Sequence, residues 1–223
     1  MAETRKAFHE ELDDLNQDVV RLAALATEAI QRGTNALLDS DLASVERIIE
    51  HDKELDVLTH SIEHRTYQLL ARQQPMAVDL RVLVTILRGI HEIERVGDLM
   101  INVVKTTRRL YPQQLDPKVR GILHRMREQA VAQLSTAVDA FAERDPSRAA
   151  ALEDMDDVMD DLQKELFRTI FAAQSNDEAA LQLAVQIALV GRYYERIADH
   201  AVNFGQRVRF MVTGEDDGGP GDD

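Results

Sequence analysis

Glu94, Asp98 and Asn102 stand four residues apart in "ERVGDLMIN", and Glu195, Asp199 and Asn203 repeat the spacing in "ERIADHAVN", 101 positions further on (94 to 195). On an α-helix, residues at i and i+4 are stacked neighbours, so each set reads as a row of side-chain oxygens. Like charges placed this way weaken a helix by about 0.2–0.5 kcal/mol per pair, a cost that a bound cation offsets. Asp52 and Asp56 share the spacing in "DKELDVL", and Asp156 and Asp160 recover it in "DDVMDDL", 104 positions later (52 to 156). Carboxylate and amide oxygens without thiolate suit hard cations such as Mg²⁺, Ca²⁺, Mn²⁺ or ferric iron. The first candidate metal site is Asp52, Asp56, Glu94, Asp98 and Asn102, and the second is Asp156, Asp160, Glu195, Asp199 and Asn203.

Two other readings stand beside the metal one. Acidic residues at i and i+4 are common on solvated helix faces, where ion pairs contribute little. Alternatively, Arg95 and Arg196 neutralise the rows as a buried salt-bridge network. His91 and His200 lie next to the rows and are candidate nitrogen ligands, although a lone helical histidine is more often structural. Duplication favours a shared role, because exposed residues have no reason to keep Glu, Asp and Asn together in both copies.

The elements that must carry these rows are long helices. Phe8, Leu12, Leu15, Val19, Leu22, Ala26, Ala29 and Gly33 follow a 4-3-4-3 spacing, the seam of a helix over 4–38. A second seam, Val45, Ile48, Asp52, Leu55, Thr59, Ile62 and Leu69, runs until Pro75 stops it. A third helix carries Leu80, Leu83, Leu87, Ile90, Glu94 and Ile101 on one stripe, which turns its acidic row toward other helices, and it ends near Pro112. Asp116–Pro117 and Asp145–Pro146 are paired start signals, cap then first helical residue, for helices over 116–143 and 146–173. A last helix covers 177–213, with Ser175 or Asn176 as its cap. The fold class is all-α: a tandem pair of antiparallel three-helix bundles, six long helices made by internal duplication. The units are 1–111 and 112–214, followed by an acidic, Gly-rich tail over 215–223 that reads as disordered.

Composition narrows the function. Aromatic residues are 4% and tryptophan is absent, which argues against a strand-rich fold. The formal charge of −14 argues against nucleic acid and toward cations or basic protein surfaces. No apolar run is long enough to span a bilayer, and the charged start "MAETRKAFHEELDDL" lacks the apolar core of a signal peptide. The absence of cysteine removes disulfides and thiolate sites and fits a reducing cytoplasm. No phosphate loop, nucleophile elbow or HExxH motif occurs.

The stretch "LLARQQPMAVDLRVLVTILRGIHEIERVGDLMINVVK" (69–105), together with "YYERIADHAVNFGQRV", resembles the PhoU family of phosphate-transport regulators. The likeness spans roughly 5–212 and rests on the Arg-Gln-x-Pro-x-Ala-x-Asp-Leu-Arg segment and the two Glu-x-x-x-Asp elements. It implies two tandem three-helix bundles, a cytoplasmic location and homodimers. It also implies a regulator that restrains the phosphate ABC transporter and a PhoR-type sensor histidine kinase when phosphate is plentiful, reaching the membrane only through those partners. Multinuclear iron, zinc or other metal clusters are implied at Asp52, Asp56, Glu94 and Asp98 and at Asp156, Asp160, Glu195 and Asp199. Asn102 and Asn203 depart from the family pattern, standing where a third carboxylate is often found. The second half also has no good copy of "RQQPMAVDLR", since residues 173–182 read "AQSNDEAALQ". One rival is a ferritin-like oxidase, which needs Glu-x-x-His on two helices; no histidine here has Glu three residues before it. The other is a helical scaffold, which has no need of acidic residues on its seams.

Overall fold

The computed structural model of the protein describes residues 2–72, 75–172 and 177–215. Six helices account for nearly all of them: α1 (Ala2–Leu38), α2 (Leu42–Arg72), α3 (Ala77–Leu110), α4 (Pro117–Glu143), α5 (Pro146–Ala172) and α6 (Glu178–Thr213). No strand occurs among the described residues.

Local chemistry sets the helix ends. Asp41 caps α2, accepting from the Ala43 and Ser44 amides. Asp116 caps α4 by accepting from Lys118 N, with Pro117 in the first turn, and Asp145 caps α5 through Ser147 N and Arg148 N. Each cap satisfies amides that the first helical turn leaves unpaired. The cap of α6 is Asp177, whose carboxylate accepts from Ala179 N, one or two residues beyond the expected Ser175 or Asn176. Those two residues lie outside the described part of the chain, as do Gln73, Gln74 and the tail from 216 onward.

The α1 seam is buried from Phe8 through Ala26, then passes from the expected Ala29 to Ile30, which is fully buried. A straight helix turns about 100° per residue and slips against a strict seven-residue repeat, so a long seam must jump by one position. The third seam departs more. Of its expected positions Leu83, Ile90 and Ile101 are buried, but Leu80 is 42% exposed, and the buried face widens through Ile86, Ile93 and Val96 to Met100. The reason is that α3 packs on α1, α2 and α6 at once, and a helix with three neighbours buries a wide arc whose margin the Leu80–Glu94 stripe occupies.

The two three-helix repeats do not hang side by side. Helices α1, α3, α6 and α4 form a ring in which each packs against the next, and α2 and α5 lie outside it. The broadest pairing in the molecule, α3 with α6, crosses the repeats. It is antiparallel throughout: Arg81 Nε donates to Met211 O (3.1 Å), Thr85 Oγ1 to Arg207 O (3.2 Å), and Glu92 meets His200 (2.7 Å). Gly89 makes the approach possible, because a Cβ there would fall 2.4 Å from the Phe204 ring. The other join pairs the end of α1 with the start of α4. Arg120 donates to Leu38 O, supplying a positive partner to the C-terminal end of α1, and Arg127 donates to Asn35 (2.8 Å). Equivalent helices therefore meet antiparallel, an approximate twofold arrangement of the duplicated unit.

Candidate functional site

In the first repeat α2 and α3 are antiparallel neighbours, and they bring Asp52, Asp56, Glu94 and Asp98 to one side of the bundle. The small residue before Asp98 is what lets them approach. A Cβ at Gly97 would stand 3.1 Å from Leu55 Cδ1 and 3.2 Å from Asp52 Oδ1, so α2 lies directly against this turn of α3. Burial pushes the Asp52 carboxyl up to about 6, and the like charges of Asp56, Asp98 and Glu94 add to the rise against the opposing Lys105.

The row lies at the rim rather than facing inward. Glu94 is 24% and Asp98 48% exposed along their side chains. Asp98 takes a 3.0 Å contact from Arg95 one turn away, a surface pair within α3 and not a bridge between helices. Asn102 is half-buried, and its carbonyl accepts from Thr106 Oγ1. His91 bridges Glu94 (3.0 Å) and Glu63 of α2 (3.6 Å). Glu63 belongs to the same acidic surface and was not anticipated; its spacing from Asp56, two turns along α2, is the signal that marks it.

In the second repeat Asp156 and Asp160 on α5 face Glu195 and Asp199 on α6. The Glu195 side chain is 13% exposed, against 24% for its counterpart Glu94. Its Oε1 pairs with Arg192, whereas its Oε2 is buried with no hydrogen-bond partner. Burial raises the Glu195 carboxyl, Asp199 adds to the rise and Arg192 opposes it. Burial likewise raises Asp199, opposed by Arg192 and His200. For Asp156 burial raises the carboxyl and a hydrogen bond from Gln133 Nε2 (3.2 Å) opposes it. The cation beside Glu195 is Arg192, and Arg196, considered above, acts more weakly on Asp199.

Asn203 does not join this cluster. Its amide donates to Glu92 Oε2 of α3 (3.4 Å), beside the His200 contact to the same oxygen. Each four-residue step along a helix overshoots a full turn by about 40°, so a residue eight positions on has rotated by about 80°. That rotation carries Asn203 off the α5-facing side and onto the α3–α6 join. His200, one position beyond Asp199 and so turned about 100° from it, reaches the same join as a partner of Glu92.

Among the described residues, no group of three or more His, Asp or Glu side chains stands in a metal-binding arrangement. The rows crowd carboxylates closely enough to raise one another's proton affinity, short of closing a coordination shell. The donor set still fits a hard cation best in the second repeat, where Glu195 Oε2 is a buried acceptor lacking a donor.

Comparison with known proteins agrees with the duplicated architecture. The PhoU domain model matches the chain twice, over residues 19–107 and 123–208. The Mycobacterium tuberculosis "Phosphate-specific transport system accessory protein PhoU homolog 1" is 36% identical over 211 residues, covering 94% of this chain and 95% of the relative. Homolog 2 of the same organism is also 36% identical over 211 residues, covering 94% and 98%. The crystal structure of PhoU from Pseudomonas aeruginosa superposes with a TM-score of 0.87 at 27% identity, over 93% of this chain and 100% of that one. With both halves matched, an all-α fold shared with a solved PhoU and the acidic motifs in both repeats, the chain belongs to the PhoU family.

Proposed function

We propose that this protein restrains phosphate uptake and the phosphate-starvation response through protein–protein contacts. It does so as a cytoplasmic homodimer that meets the phosphate ABC transporter and a PhoR-type sensor histidine kinase. The observation that carries the reading is the match of both repeats to the PhoU domain, with relatives named as accessory proteins of phosphate-specific transport. The chain is a non-enzymatic accessory protein, and its long exposed helices suit an interaction module. Apolar side chains are open to solvent where α2 gives way to α3 and α5 to α6. Tyr67, Met76 and Val78 are exposed at the first junction, Phe171, Leu181 and Val185 at the second. Among the described residues no helix is long and apolar enough to cross a membrane, so contact with a transporter would be peripheral.

The acidic rows are the sites for ferric iron, Zn²⁺, Mn²⁺ or Mg²⁺. Asp52, Asp56, Glu94 and Asp98 would hold a cation in the first repeat, and Asp156, Asp160, Glu195 and Asp199 in the second. A bound cation would neutralise the crowded carboxylates and tie α2 to α3 and α5 to α6. Transcription of phosphate-starvation genes tests the regulatory role in phosphate-rich medium, comparing a strain lacking the protein with its complemented control. Derepression that complementation reverses is the expected result. Unchanged expression in the deletion strain would exclude this protein as the principal restraint.

A further inference from the structure

We infer that Gln133 makes the two acidic sites inequivalent, acting as a positioning residue that holds Asp156 and gives the second repeat the tighter cation site. This deepens the cation reading above and rests on it.

The same displacement of 104 residues that relates Asp52 to Asp156 relates Ala29 to Gln133 (29 to 133). The register is secure, because Leu15, Val19, Leu22 and Ala26 of α1 correspond at that displacement to Val119, Leu123, Met126 and Ala130 of α4, and all eight are buried. The two repeats thus hold the same backbone position opposite the same carboxylate. One fills it with a methyl group and the other with an amide.

Gln133 has no exposed surface. Its Nε2 donates to Asp156 Oδ1 at 3.2 Å, and its Oε1 is buried without a partner. A buried amide left half satisfied inside an apolar seam is unfavourable, so a residue retained there needs a compensating use. The hydrogen bond supplies one. It fixes the orientation of Asp156, as outer partners of metal-ligating carboxylates do. On α6 of the same repeat, Glu195 Oε2 is also buried without a partner. In the first repeat Ala29 has no side-chain donor to offer Asp52, and the unpartnered buried oxygen on α2 is Thr59 Oγ1, one turn beyond Asp56. Asp156 is therefore held by a fixed partner before any ion arrives, and Asp52, equally half-buried, is not.

The test is titration of the full chain with Mn²⁺ alone, followed by calorimetry and by the electron paramagnetic resonance signal of free Mn²⁺. Asp52→Asn and Asp156→Asn assign the binding classes. The expected result is two classes, of which the tighter disappears with Asp156→Asn. Gln133→Met should weaken that class by about 10-fold or more and leave the other unmoved. Ala29→Gln should tighten the first-repeat class, and it carries the test alone if Gln133→Met loses its helical circular dichroism. Equal classes unmoved by either substitution, or a tighter first-repeat class, would overturn the inequivalence while leaving the cation reading in place. No bound Mn²⁺ in the unaltered chain would overturn both.

Discussion

Thr34 of α1 and Tyr194 of α6 share a hydrogen bond of 2.5 Å across the centre of the molecule, with both residues fully buried. The two helices occupy opposite corners of the four-helix ring, and only a side chain as long as tyrosine spans that diagonal. Thr34 Oγ1 donates to Ile30 O (2.6 Å), which leaves the tyrosine hydroxyl as donor to the threonine oxygen. This bond ties the first repeat to the second where neither backbone touches the other.

Tyr194→Phe should therefore destabilise the whole fold and not one repeat. The loss expected is about 1–1.5 kcal/mol, that of a buried hydrogen bond whose partner keeps its other contact. At about 2–4 °C per kcal/mol for a chain of this size, the melting midpoint should fall by a few degrees in one cooperative step. A double-mutant cycle with Thr34→Val isolates the pair. A separate, earlier transition for one repeat would contradict the shared core.

The glycines of the two close approaches should respond differently. An alanine methyl at Gly89 meets the rigid Phe204 ring at 2.4 Å, so α3 and α6 must separate or the ring must leave its rotamer. Overpacking of this sort costs about 1–3 kcal/mol, partly offset by the gain of roughly 1 kcal/mol from replacing a helical glycine. At Gly97 the neighbours, Leu55 Cδ1 and Asp52 Oδ1, are ends of flexible side chains at 3.1 and 3.2 Å. Gly97→Ala should stay within about 1 kcal/mol of neutral, the helix-propensity gain balancing small shifts of those side chains. Urea unfolding of both variants checks the order, which reverses if the α3–α6 approach is looser than described.

Much of this architecture is legible in the residues, because helix ends are decided locally. Pro75 and Pro112 stop helices by steric exclusion, and Asp116–Pro117 and Asp145–Pro146 start them with a cap and a fixed φ. What escapes a reading of periodicity is which side of a helix meets which neighbour. The stripe through Leu80, Leu83, Leu87, Ile90 and Glu94 reads as a core face, yet only Leu83 and Ile90 of these are buried, because three packing partners extend the core of α3 around to Ile86 and Ile93. Asn203 shares a spacing with Glu195 and Asp199 but loses their company to helical rotation. Gln133 sits in the seam of α4 as one amide among apolar residues, and only the packing of α5 reveals why it is there.

The pH dependence of stability should carry the mark of Asp52. Its folded carboxyl titrates near 6 and its ordinary value is 3.8, so between those values the folded state binds more protons than the unfolded one. Stability contributed by this group is then fully present below about pH 3.8 and lost as pH rises through about 6. Asp156, Glu195 and Asp199 shift in the same direction and deepen the decline. Asp52→Asn should flatten part of that slope and stabilise the ion-free protein at pH 7.5 by about 1 kcal/mol, the figure being kept low because solvent screens a half-buried site. Chemical denaturation in chelator at pH 4.5, 6 and 7.5 measures it. A variant that is less stable than the parent at every pH would show that Asp52 is held by favourable partners instead of crowded by like charges.

Burial raises these carboxyls and like-charge neighbours add to the rise, so cations should reverse it, most strongly near neutral pH where the carboxylates are ionised. Mn²⁺ at about 100 times its dissociation constant adds about 2.7 kcal/mol for one site that the unfolded chain lacks. That corresponds to a rise of roughly 5–11 °C in the melting midpoint, which chelator should abolish. Glu195→Gln with Asp199→Asn removes charge from the second cluster without changing side-chain volume. The pair should raise the midpoint of the ion-free protein and remove most of the Mn²⁺ increment. Glu94→Ala with Asp98→Ala should remove a smaller share, since those side chains sit at the solvent-exposed rim. A midpoint indifferent to Mn²⁺ in the parent, yet raised by the charge-removing pair, would mean that the rows are repulsive clusters whose relief comes from Arg192, Lys105 and their neighbours alone.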